Sequence, residues 1–102
     1  IPDRRGDTVT KAQVVRARVP EDEREEYLDA WGEWSGQLLP MGIDCELLES
    51  EDEPGLFVEL TWFEGGDAAA MADDRLARIN DRMQRAAEKR TGARELYRTR
   101  GG

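Results

Sequence analysis

The chain predicts a two-layer α+β domain with elements in the order β-α-β-β-α-β. Two observations carry this. Strict period-two alternation runs through LFVELTWF (Leu56–Phe63), and apolar stripes at helical spacing run through two longer segments. Turn and capping residues separate every pair of elements.

Residues 8–19 (TVTKAQVVRARV) read as the first strand, with Val15, Ala17 and Val19 on one face and Arg16 and Arg18 on the other. Pro20 ends it, and Glu21, Asp22 and Glu23 load the next helical turn with acids that the helix dipole favours. Tyr27, Trp31, Trp34 and Leu38 form that helix's apolar stripe, flanked by Leu28 and Leu39, until Pro40 and Gly42 stop it. Residues 43–49 read as the second strand and residues 50–55 as a polar hairpin loop. In the third strand Leu56, Val58, Leu60 and Trp62 are expected to face the helices, and Phe57, Glu59, Thr61 and Phe63 the opposite side. Gly65 and Gly66 break the strand, and Asp67 stands where a helix N-cap belongs. Ala72, Leu76, Ile79, Met83 and Ala86 make the second stripe, with Arg75, Arg78, Arg82 and Arg85 beside or opposite it. Gly92 reads as the residue just past the helix end, and residues 93–100 as the last strand.

This order is the ferredoxin-like split βαβ arrangement: an antiparallel sheet in strand order 4-1-3-2 with both helices on one face. At 102 residues the chain holds one domain and one core, and residues 1–7 and 101–102 are expected to be frayed ends.

Composition removes much chemistry. The chain has no histidine, so Ser-His and Cys-His catalysis, histidine-bound zinc and histidine-bound haem are excluded. Its single cysteine, Cys45, rules out an internal disulfide and alternates with Ile43 and Leu47 as a small core residue. No phosphate-binding glycine loop or CxxC pair occurs. Glu49, Glu51, Asp52 and Glu53 lack the spacing of a calcium loop and read as a solvated hairpin tip. The net charge of −8 argues against nucleic acid, and no apolar run approaches the ~20 residues of a membrane span. No signal peptide is visible, so a cytoplasmic protein is the expectation.

The charge is partitioned: residues 1–19 carry +3, residues 20–67 carry −15, and residues 68–102 carry +4. In strand order 4-1-3-2 this gives a basic half and an acidic half. A face not covered by helices calls for a partner. The expected partner is a second copy of the chain, sheets stacked with basic half over acidic half. Arg16, Arg18, Leu48, Phe57, Glu59 and Phe63 are the expected interface.

The stretch FVELTWFEGGDAAA resembles the third strand and following helix of the dimeric α+β barrel superfamily, within it the antibiotic-biosynthesis-monooxygenase type. Trp62, Glu64, Ala68 and Ala69 match that outline. The resemblance implies a homodimer with a cleft between helices and sheet in each subunit. It also implies cofactor-independent oxygenation of an aromatic or polyketide-like molecule, or no known reaction. Haem degradation in that group uses a histidine in the second helix, which this chain lacks. Tyr27, Trp31, Trp34, Trp62, Asn80 and Arg82 are the expected ligand-cleft residues, Arg82 as a stabiliser of an enolate-type anion. The same aromatic residues would serve as plain core. No cofactor and no metal is expected. The alternative is a non-catalytic dimeric module that binds another protein.

Overall fold

The computed structural model describes residues 9–63 and 73–98. The elements are β1 (Val9–Arg18), α1 (Arg24–Leu38), β2 (Asp44–Glu49), β3 (Leu56–Phe63), α2 (Asp74–Ala86) and β4 (Lys89–Arg98). Short 3-10 turns at Glu21–Glu23 and Leu39–Met41 flank α1. The sheet is antiparallel throughout in the order β2-β3-β1-β4, the expected 4-1-3-2 read from the other edge. No helix among the described residues is long and apolar enough to cross a membrane.

The core lies between the helices and one sheet face. Tyr27, Ala30, Trp34 and Leu38 from α1 meet Leu76, Ile79, Met83 and Ala86 from α2 over Ala17, Val19 and Phe57. Leu38, Phe57 and Met83 are fully buried, each worth about 1.5–3 kcal/mol relative to exposure. The stripes read from the sequence are thus buried in both helices at Tyr27, Trp34 and Leu38 and at Leu76, Ile79, Met83 and Ala86, while Trp31 is only half-buried. Cys45 and Leu47 pack half-buried against the same core.

The two faces of β3 are the reverse of the expectation. Phe57, Glu59 and Thr61 are buried on the helix side, while Leu56, Val58, Leu60 and Trp62 are only half-buried. Register explains the inversion. Val15 stands opposite Glu59 and Ala17 opposite Phe57, and directly opposed residues share a face. Burial of Val15 and Ala17 beneath the helices therefore carries Glu59 and Phe57 with them.

Two glycines do specific work. Gly55 has φ +95° in the β2–β3 turn, and a Cβ there would come 2.8 Å from the Val19 carbonyl oxygen. Gly92, expected at a helix end, lies inside β4 opposite Val15, where a Cβ would meet Val15 Cγ2 at 2.5 Å. The helix instead ends at Ala86 because Ala87 is already extended and the Glu88 N–H donates to the Arg18 carbonyl at 2.8 Å. β4 therefore starts four residues before the expected position 93.

The N-cap expected at Asp67, and Ala72 of the second stripe, lie outside the described residues. The described helix is capped by Asp73, which is extended and whose Oδ1 accepts from the Leu76 N–H at 3.0 Å. That hydrogen bond is the main cause holding the Asp73 carboxyl below its ordinary range.

Candidate functional site

A buried cluster of polar side chains sits where β3, β4 and both helices meet. Its centre is the Glu59 carboxylate, which enters the core because β3 turns that face inward. Arg90 on β4 reaches it from two strands away. Its Nε donates to Glu59 Oε2 at 2.9 Å and its Nη2 to Oε1 at 2.8 Å, a fork-on-fork pair. Between them on β1 stands Ala17, opposite both Arg90 and Phe57, so a methyl group occupies the place where a larger side chain would obstruct the guanidinium. Both partners' side chains are only 4% exposed.

Two further residues complete the cluster. Tyr27 from α1 donates its hydroxyl to Glu59 Oε2 at 2.6 Å and stacks its ring on Phe57 at 4.8 Å between centroids. Burial foremost, then the adjacent Glu59 charge, pushes the Tyr27 phenol well above its ordinary range, so it stays a donor. Asn80 on α2 accepts from Arg90 Nη1 at 2.8 Å, and the exposed Gln84 accepts from the same nitrogen at 3.1 Å. Glu59 thus holds three donors, and four of the five Arg90 N–H groups are used. Such a cluster keeps charge buried and neutralised. It leaves Glu59 engaged on both oxygens and so not a free base.

The residues expected to line a cleft divide. Tyr27 and Asn80 come together in this cluster. Trp34 is buried beside them in the core, and Trp31 packs half-buried at its margin. Trp62 does not join them, because the register of β3 places it on the open sheet face opposite Ala12. Arg82 does not join them either. It lies on the outer surface, where Nε and Nη2 donate to Glu26 at 3.1 and 3.2 Å and Nη1 donates to Glu33 at 2.7 Å, tying α2 to α1. Those bonds, with Glu26 first, raise the Arg82 pKa. The inner guanidinium is Arg90, which spacing did not single out.

One polar atom in the core stands apart. The Trp34 indole N–H is buried with no hydrogen-bond partner among the described residues. An unmet buried donor costs about 1–3 kcal/mol. One turn further along α1, Gln37 makes two long hydrogen bonds, donating to Asp73 at 3.3 Å and accepting from Arg75 at 3.4 Å.

The expected interface residues divide as well. Arg16, Arg18 and Leu48 lie exposed on the open face, Leu48 at 45%. Phe57 and Glu59 do not, at 1% and 3% exposure, because they face the helices. The Phe63 side chain lies outside the described residues. Elsewhere, Arg24, Glu49, Glu21, Ser50, Glu51 and Pro54 line an open depression of about 470 Å³. Its acids do not converge as metal ligands among the described residues. Burial, then Asp44, pushes the Cys45 thiol up, away from nucleophilic chemistry.

No family model matches the chain, and no curated protein matches it. Solved structures do. A conserved protein of Methanosarcina mazei Go1 aligns with TM-score 0.75 at 16% identity, covering 89% of this chain and 93% of its own. A variant of SnoaB, a cofactor-independent oxygenase from Streptomyces nogalater, aligns with TM-score 0.72 at 14% identity, covering 91% and 95%. A Nitrosomonas europaea protein, provisionally an antibiotic biosynthesis monooxygenase, aligns with TM-score 0.72 at 22% identity, covering 91% and 89%. The chain has the antibiotic-biosynthesis-monooxygenase-like fold. At these identities the likeness fixes the ferredoxin-like architecture, in which two helices and one sheet face enclose the candidate site.

Proposed function

We propose that this monooxygenase-like domain binds a flat aromatic or polyketide-like molecule between its helices and sheet. The observation that carries the reading is the Trp34 indole N–H, a buried donor left unpaired among the described residues. A carbonyl oxygen on a flat ligand is the acceptor such a group lacks. The long Gln37 bonds one turn along α1 mark the part of the seam that opens at least cost. The likeness to a cofactor-independent oxygenase supports oxidation without metal as the finer form of the reading.

The test is tryptophan-fluorescence titration with flat aromatic ketones such as anthrone. Saturable quenching is expected. Trp34→Phe, which keeps an apolar ring but removes the donor, should weaken binding about tenfold, the equivalent of one net hydrogen bond. Absence of quenching by every ketone, or equal binding by Trp34→Phe, counts against it.

The polar cluster favours a second reading, a non-catalytic dimeric module. Tyr27, Glu59 and Arg90 satisfy one another, which leaves no group to take a proton from a substrate. In either reading the domain pairs with a second copy through the open sheet face. Val58, Leu60, Trp62 and Leu48 supply the apolar part of that face. Arg16 and Arg18 of one copy stand over Asp44 and Glu46 of the other.

A further inference from the structure

We infer that Tyr27 is a redox-active tyrosine with Glu59 as its proton acceptor, and that Trp31 passes to it the oxidising equivalent of an oxygen-centred radical. Neither ligand binding nor the pairing of two copies is involved.

One hydrogen bond prepares the phenol. The Tyr27 hydroxyl donates to Glu59 Oε2 at 2.6 Å, and both side chains are buried. A phenol gives up an electron readily only when its proton leaves too, because the phenol radical cation is a very strong acid. Here a carboxylate already stands in line to take that proton, with no water needed to carry it. Burial keeps the intact phenol protonated, so the transfer waits for oxidation. Glu59 is no base towards a neutral donor, yet it accepts a proton as acidic as that one.

α1 supplies the route. Trp31 is half-buried at the margin of the core, where an oxidant reaches it. Residues three and four apart on a helix are neighbours, so Trp31 lies beside both Trp34 and Tyr27. These two neighbours differ in one respect. The Trp34 indole N–H has no acceptor among the described residues. Oxidised Trp34 keeps its proton and leaves an unpaired buried charge, which is costly. Oxidised Tyr27 passes its proton to Glu59. Oxidation that enters at Trp31 therefore settles on Tyr27. A ligand carbonyl on Trp34 would not reverse this, since a carbonyl is a far weaker base than a carboxylate.

The steps balance. A radical of the peroxyl class takes one electron from the Trp31 indole and one proton from solvent, and leaves as a hydroperoxide. The Trp31 radical cation then takes one electron from Tyr27, whose proton moves to Glu59 Oε2. The products are an intact indole, a neutral tyrosyl radical and a neutral carboxylic acid. Glu59 Oε1 still accepts from Arg90 Nη2, and Arg90 Nη1 still donates to Asn80 and to the exposed Gln84. The positive charge thus rests on a guanidinium with three acceptors, one of them at the surface. Phe57, whose ring lies 4.8 Å from that of Tyr27, is too hard to oxidise to draw the radical onward.

The test is flash photolysis of the full chain with ruthenium tris-bipyridine as photo-oxidant and methyl viologen as electron acceptor, followed by transient absorption. The indole radical band should decay as a tyrosyl band rises. Of the two tyrosines, Tyr97→Phe should keep the tyrosyl band and Tyr27→Phe should lose it. Trp31→Phe should cut the tyrosyl yield severalfold. In the parent chain equilibrated in deuterium oxide the tyrosyl rise should slow severalfold, a readout that needs no variant to fold. Absence of a tyrosyl band overturns the assignment. So does loss of the band in Tyr97→Phe rather than Tyr27→Phe, a yield that Trp31→Phe leaves unchanged, or an equal rise in the two solvents.

Discussion

Glu59 shows how one carboxylate can be read correctly as part of a strand and wrongly as part of a surface. An acidic residue in an alternating strand is ordinarily the solvent side of the pleat. Here its charge is cancelled by Arg90, which lies thirty-one positions along the chain, and one of its oxygens also accepts from Tyr27, thirty-two positions before it. No local pattern encodes a partner at that distance, so the cluster was not legible in the sequence. Tyr27 and Asn80 were legible as candidates by type; Arg90, sitting in what read as the end of a helix, was not. Removing one partner should be severe. Glu59→Ala leaves a buried, unpaired guanidinium and is expected to cost about 3–5 kcal/mol in urea unfolding. Replacing the group together, with Glu59→Leu, Arg90→Met and Tyr27→Phe, should cost much less, since no charge is then stranded. Equal losses in the single and triple variants would count against this account of the cluster.

At the level of elements, both helix stripes were legible from periodicity alone, and strand order from the element sequence and the right-handed crossovers it permits. The facing of β3 was not, because both of its sides are apolar enough to be core. Leu56, Val58, Leu60 and Trp62 compete with Phe57, Thr61 and Phe63, and only the register against β1 decides. The attachment of α1 to the β2–β3 hairpin has its own signature. Arg24 grips Glu49 through two bonds, one of 2.7 Å, and the Gly55 N–H donates to the same carboxylate at 3.0 Å. Arg24 first, then Gly55, brings the Glu49 pKa from 4.5 down to about 2. A carboxylate depressed by folding stabilises the native state above its unfolded pKa, and that contribution fades as pH falls through the folded one. Stability attributable to Glu49 should therefore be complete above about pH 4.5 and disappear towards pH 2. Thermal midpoints measured across that range should fall less steeply for Glu49→Gln than for the parent chain. Parallel curves would show that the hairpin attachment does not govern the acid limb.

For the whole molecule, the uneven charge and the half-buried open face point to the same assembly. Light scattering on the eluted protein is expected to give the mass of two chains. Trp62→Arg with Leu48→Arg should shift it to one chain without loss of secondary structure, because both lie on the open face. Raising salt should also weaken the pair, since Arg16 and Arg18 are exposed and so readily screened. A monomer for the parent chain at micromolar concentration would leave the apolar open face without its expected cover.

The central position of β1 also sets a timetable. It precedes β3 and β4 along the chain, yet it must be flanked by β3 on one side and by β4, the last of the described strands, on the other. Pairing that spans nearly the whole chain is slow to close, because loop entropy is spent before the contacts form. Until β4 docks, Glu59 has no guanidinium, and the inner face of the sheet holds a charge it cannot yet bury. The last strand therefore brings the cation that lets the core shut. As the chain emerges from the ribosome, Glu59 works as a latch that only the arrival of Arg90 can close.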